Sequence, residues 1–145
     1  TKRHPLGTIV RAQDPTYGAG EFIYLQGIGR TIANDWVEYS DAFLTSLATV
    51  ALASNECLAV AMAATVASEY GWYQIGGVAQ NNKASDLSVA AAAGISATSG
   101  KAVAAVTALR INGAIATTVS SAVAGRVTLT VLISRPHGSA VTDVG

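Results

Sequence analysis

Residues 68–79 read SEYGWYQIGGVA and place Tyr70, Trp72 and Tyr73 within a few positions, beside Glu69. The whole chain holds five tyrosines and two tryptophans, so the stretch gathers much of its supply. Flat aromatic faces next to a carboxylate suit the wall of a sugar site, and paired carboxylates would extend that to glycoside hydrolysis. Trp36 repeats the arrangement, with Asp35 and Glu38 flanking it. On this reading Trp36, Trp72 and Tyr73 are the stacking platforms of a carbohydrate-binding β-sandwich. The competing reading is packing, with the aromatics in a β core and the acids at strand ends and turns, where solvent is. The carboxylates are scattered singly, which favours packing.

Other residues that could do chemistry are no better placed. His4 and His137 lie near the two ends of the chain, where a general base or metal ligand is poorly held. Cys57 is the only cysteine, which excludes an internal disulfide and a cysteine-based zinc site; it reads as a small, half-buried strand residue. The GIG at 27–29 lacks the third glycine of a dinucleotide loop and reads as a turn. No HExxH, GxSxG or Walker sequence occurs. No catalytic residue, metal or cofactor is therefore expected.

The elements that would have to position these residues are short. With 145 residues the chain is one domain by length. Nine basic residues balance nine acidic ones, so no net field draws it to nucleic acid or an anionic membrane. Only 12% of residues are charged, and mean hydropathy is positive. A surface so poor in charge resists association weakly, which suits a subunit of an assembly. The apolar window 47–67 is mostly alanine and is interrupted by Ser54, Asn55 and Glu56, so a membrane span is not expected. The start, TKRHPLGTIV, has basic residues but no apolar run after them, which argues against a signal peptide.

Turn signals recur about every ten residues, the rhythm of all-β sandwiches and barrels. Strands are expected at 7–13, 20–26, 34–41, 56–65, 111–121 and 126–134, with turns at 14–20 and 27–30. In 56–65 Leu58, Val60 and Met62 alternate with Ala59, Ala61 and Ala63, a period of two that predicts a strand whose alanine face is closely covered. Around the opening motif, residues 68–71 read as a tight turn. A strand then starts at Trp72 and stops at Gly76-Gly77, with Trp72 and Gln74 on one face and Tyr73 and Ile75 on the other. Pro136 is expected to end the last strand. Residues 86–110 fit either a helix, from their alanines, or broken strands, from Gly94 and the serine-glycine cluster at 96–100.

The order of four motifs resembles the head decoration, or cement, proteins of tailed bacteriophages. They are LGTIVRA, GEFIYLQGIGRTIANDWVEYSD, CLAVAMAATVASEYGWYQIGGVA and RVTLTVLISRP, together spanning most of residues 6–136. The alanine-rich stretch 86–110 departs from that pattern. The resemblance implies a compact β-barrel or jelly-roll-like sandwich with extended termini, organised as arm 1–6, β-domain 7–134 and tail 135–145. It implies a virion structural protein, not an enzyme, made in the host cytoplasm and bound to the outside of an icosahedral capsid. Its partners would be the major capsid protein and further copies of itself, as a dimer or trimer, with no direct nucleic-acid or membrane contact. The candidate capsid or subunit contacts are Thr1, Lys2, Arg3, His4, Pro5, Arg135, Pro136 and His137.

Overall fold

The computed structural model describes residues 1–49, 57–83, 91–96, 100–104, 110–118, 122–123 and 126–139. Within them the chain is all-β and carries eleven strands: β1 (Ile9–Asp14), β2 (Gly18–Gln26), β3 (Trp36–Tyr39), β4 (Thr45–Leu47), β5 (Cys57–Ala61), β6 (Tyr70–Asn82), β7 (Ala92–Ile95), β8 (Ala102–Ala104), β9 (Arg110–Thr118), β10 (Ala122–Val123) and β11 (Arg126–Ser139). The ladders between them are antiparallel, in the order β1-β2-β6-β5-β11-β9-β7-β8, with β3 beside β5, β4 beside β3 and β10 beside β11. Among the described residues the sheet is not closed into a barrel. Isolated parallel bridges join Gln26 to Leu44 and Lys83, just past the end of β6, to Ala102 in β8, and no parallel ladder follows either among the described residues.

The long strands β6 and β11 organise the domain. The first half of β6 lies between β2 and β5, with Tyr73 opposite both Ile23 and Ala61. Its second half pairs with β11 from Gly76–Ser134 to Asn82–Thr128. The sheet thus bends where β6 changes partners, and the two halves face each other across a common core. Trp36, Leu58 and Val60 from one half meet Ala79, Ile95, Ile111, Val131 and Ile133 from the other. A second cluster, Ile23, Leu25, Val37, Ala59, Ala61, Tyr73 and Ile75, lies on the opposite face of the first half, with Phe43 packed against it. Both faces of β5 are therefore buried. Ala59 and Ala61 have no exposed surface, as expected for a small-residue face that is closely covered.

Several boundaries differ from those the sequence suggested. Gly76-Gly77 does not stop β6; it carries the strand through the bend, with Gly77 at φ +91°. Pro136 does not end β11 either. It is buried inside the strand, within a bulge against β9 where Ile133 pairs with Ala114 and His137 with Asn112. A bulge tolerates a residue without an N–H. β5 ends at Ala61, leaving Met62 outside it and exposed. In the 68–71 turn the left-handed residue is Ser68, at φ +67°, and Gly71 is already in β6. Glu69 serves that turn, its Oε2 accepting from the Val66 N–H at 3.0 Å. The Asp14 turn holds likewise: Oδ1 accepts from the N–H groups of Thr16 and Tyr17 at 2.7 and 2.9 Å.

Of the alanine-rich region, residues 92–95 and 102–104 form strands β7 and β8. Residues 84–90, 97–99 and 105–109 lie outside the described set, as do Ser54, Asn55, Glu56 and the tail 140–145. No helix among the described residues is long and apolar enough to cross a membrane.

Candidate functional site

The supposed sugar platforms are separated by the pleat. Trp36 and Tyr73 have no exposed surface and sit in the two different core clusters, so neither can stack on a sugar. Trp72 alone stays half-buried. The acids beside Trp36 are occupied with structure. Buried Asp35 accepts from the Ile32 N–H at 3.2 Å and from Asn82 Nδ2 at 2.7 Å, and Glu38 accepts from the Ser46 hydroxyl. The carbohydrate reading loses two of its three platforms.

What the fold assembles instead lies along its first edge, on the two sides of β1 and β2. In the register Val10–Phe22 and Ala12–Gly20, Val10, Ala12 and Phe22 share one face with Trp72. Together with Met62 they line an apolar groove of about 250 Å³. On the other face, Arg11 lies opposite Glu21, and its guanidinium donates to Glu21 Oε1 at 3.1 Å. Arg135 reaches Glu21 Oε2 at 3.4 Å. These three residues, with Gly20, Gly76, Gly77, Ile133 and Ser134, line an open cleft of about 460 Å³ at the bend of the sheet. Two guanidiniums share one carboxylate, so the cleft keeps one positive charge in excess. Arg135 holds φ +44°, an unusual conformation for a side-chain-bearing residue, at the bulge that aims it toward β2.

The expected contact residues divide between these faces. Thr1 to Pro5 are exposed, but the segment folds back on its own domain. The Arg3 N–H donates to Tyr24 Oη at 3.2 Å, and the His4 ring lies 5.2 Å from Tyr24 and 5.3 Å from Trp72 between centroids. Pro5 O accepts the Thr8 hydroxyl at 2.7 Å. The amino-terminal segment therefore meets the aromatic face, while Arg135 joins Arg11 and Glu21 on the other. Pro136, being buried within its own chain, is not available as a contact. His137 is exposed, with Asn112 Nδ2 3.3 Å from its Nε2. Glu21, Val10 and Met62 were not legible as site residues, since only the pairing of β1 with β2 and the end of β5 brings them together.

Cys57 opens β5 and is exposed, not half-buried; it lies opposite Tyr39 on one side and His137 on the other. Burial pushes the Tyr39 phenol up to about 12, helped by the Cys57 thiol beside it and opposed by the Arg135 charge. No group of three or more His, Cys, Asp or Glu side chains among the described residues is arranged to hold a metal ion. No family model matches the chain, and no curated protein or solved structure shows significant similarity to it.

Proposed function

We propose that the protein is a virion structural subunit, a decoration or cement protein that binds the outer surface of an icosahedral phage head at junctions between major capsid proteins and stabilises it. The observation that carries this reading is the surface along β1. Val10 and Met62 stand exposed there beside Phe22 and Trp72, and Ile9 is exposed on the other face of the same strand, on a domain with few charges to keep other proteins away. Such a surface is stabilised by being covered, and repetition on a lattice multiplies a weak contact through avidity. The order of motifs that resembles the cement proteins supports the same role, which requires contact area and no catalytic step. Association with further copies, as a dimer or trimer on the capsid exterior, belongs to the proposal.

The test is reconstitution. Expanded phage heads assembled without the protein are incubated with it, sedimented, and heated. Co-sedimentation with a raised disruption temperature is the expected result. Failure to bind the cognate expanded head would defeat the reading.

A further inference from the structure

The edge strand β1 points to a more specific recognition mode that does not depend on the capsid reading. β1 pairs with β2 without interruption from Ile9–Ile23 to Asp14–Gly18, and no other described strand pairs with it. The Tyr24 N–H donates to Thr8 O at 2.9 Å, so Thr8 and Tyr24 are a hydrogen-bonded pair. In an antiparallel ladder such pairs alternate, which makes Val10–Phe22 and Ala12–Gly20 hydrogen-bonded pairs too. The N–H and C=O groups of Ile9, Arg11 and Gln13 therefore point outward from the sheet. Residues 9–13 are all exposed, and neither proline nor lysine guards the edge.

The two faces beside this edge have opposite chemistry. A strand added next to β1 would place alternate side chains on alternate faces. Those beside Val10 and Ala12 would extend over the apolar groove of Phe22, Met62 and Trp72. The one opposite Arg11 would meet a guanidinium whose side chain is 86% exposed, on the face with the excess positive charge. We infer that β1 receives an extended segment of a partner protein in which an acidic residue alternates with flanking apolar ones, held by main-chain hydrogen bonds in the manner of β-augmentation.

A second copy of β1 is a poorer occupant. Pairing β1 with itself about a two-fold axis at Val10, Arg11 or Ala12 sets the two Arg11 side chains directly opposite or diagonally adjacent. Like charges so placed repel. An acidic partner removes that conflict.

The test uses a labelled seven-residue peptide alternating valine and glutamate, and the same peptide with lysine for glutamate. Binding is read by anisotropy and by the fluorescence of half-buried Trp72, with Trp36 shielded in the core. The glutamate peptide is expected to bind about tenfold more tightly than the lysine peptide. Arg11→Glu, a change on an exposed side chain, is expected to reverse that order. Gln13→Pro removes one outward N–H without changing charge and should weaken the glutamate peptide by several-fold, with far-UV circular dichroism confirming the fold. Equal binding of both peptides, no binding of the glutamate peptide at millimolar concentration, or indifference to Arg11→Glu would each overturn the inference. So would a dimer in sedimentation that Gln13→Pro dissolves, which would assign the edge to a second copy.

Discussion

Substituting Gly77 with alanine tests whether the bend of β6 organises the domain as described. Gly77 holds φ +91°, and a Cβ there would run into the carbonyl oxygen of Ala19, with the Gly20 Cα at 3.0 Å. Both obstacles are backbone of the paired strand β2, so no side chain can rotate away. A left-handed conformation costs a side-chain-bearing residue about 1–2 kcal/mol, and overpacking against a fixed neighbour adds about 1–3 kcal/mol. Gly77→Ala should therefore destabilise by about 2–5 kcal/mol. Gly18 separates the two contributions: it has φ +81° but nothing within 4 Å of its Cβ position. Gly18→Ala should cost only the conformational part, about 1–2 kcal/mol. At Gly71, where φ is not positive and the nearest atoms are 3.9 and 4.0 Å away, alanine should be neutral or slightly stabilising. Urea unfolding of the three variants, compared at equal m-value, ranks them. If Gly77→Ala is no worse than Gly18→Ala, the close approach of β2 to the bend is wrong.

Two further substitutions examine the core and the edge of the aromatic groove. Trp36→Ala empties a fully buried site and should cost about 3–5 kcal/mol, whereas Trp72→Ala, half-buried, should cost distinctly less; equal losses in denaturant titration would contradict the core assignment. Tyr39 titrates near 12 in the folded protein against an ordinary value of about 10, so the folded state holds this proton more tightly. Its contribution is complete below about pH 10 and is lost as pH rises toward 12. The stability difference between wild type and Tyr39→Phe should shrink over that window, and a difference constant from pH 9 to 12 would show that the phenol titrates normally.

The strands that alternation made visible were those whose two faces carry side chains of different size or polarity. β2 and β5 appeared near their expected positions because Ile23 and Leu25, or Leu58 and Val60, mark a face at a period of two. The misplaced boundaries share a different cause. Gly76-Gly77 and Pro136 are local stop signals, and each was overridden by pairing with a strand remote in sequence. β11 supplies the partner that carries β6 past its glycines, and the bulge against β9 accommodates Pro136 without its missing N–H. The aromatic cluster was legible as packing, but not its orientation. Adjacent residues on a strand point to opposite faces, so Trp72 and Tyr73 never share a wall, yet which of them faces inward depends on what covers each side.

Composition and period alone determined that this chain forms strands, builds its core within a β architecture, and presents a surface poor in charge. Those properties follow from local sterics and from burial, which each residue carries with it. Only the tertiary structure decided where the sheet bends, that β1 is left as an open edge, and that Arg11 and Arg135, far apart in sequence, converge on the one carboxylate of Glu21. Long-range register sets all three, because a strand's neighbours are chosen by which faces complete a core and not by any signal within the strand itself.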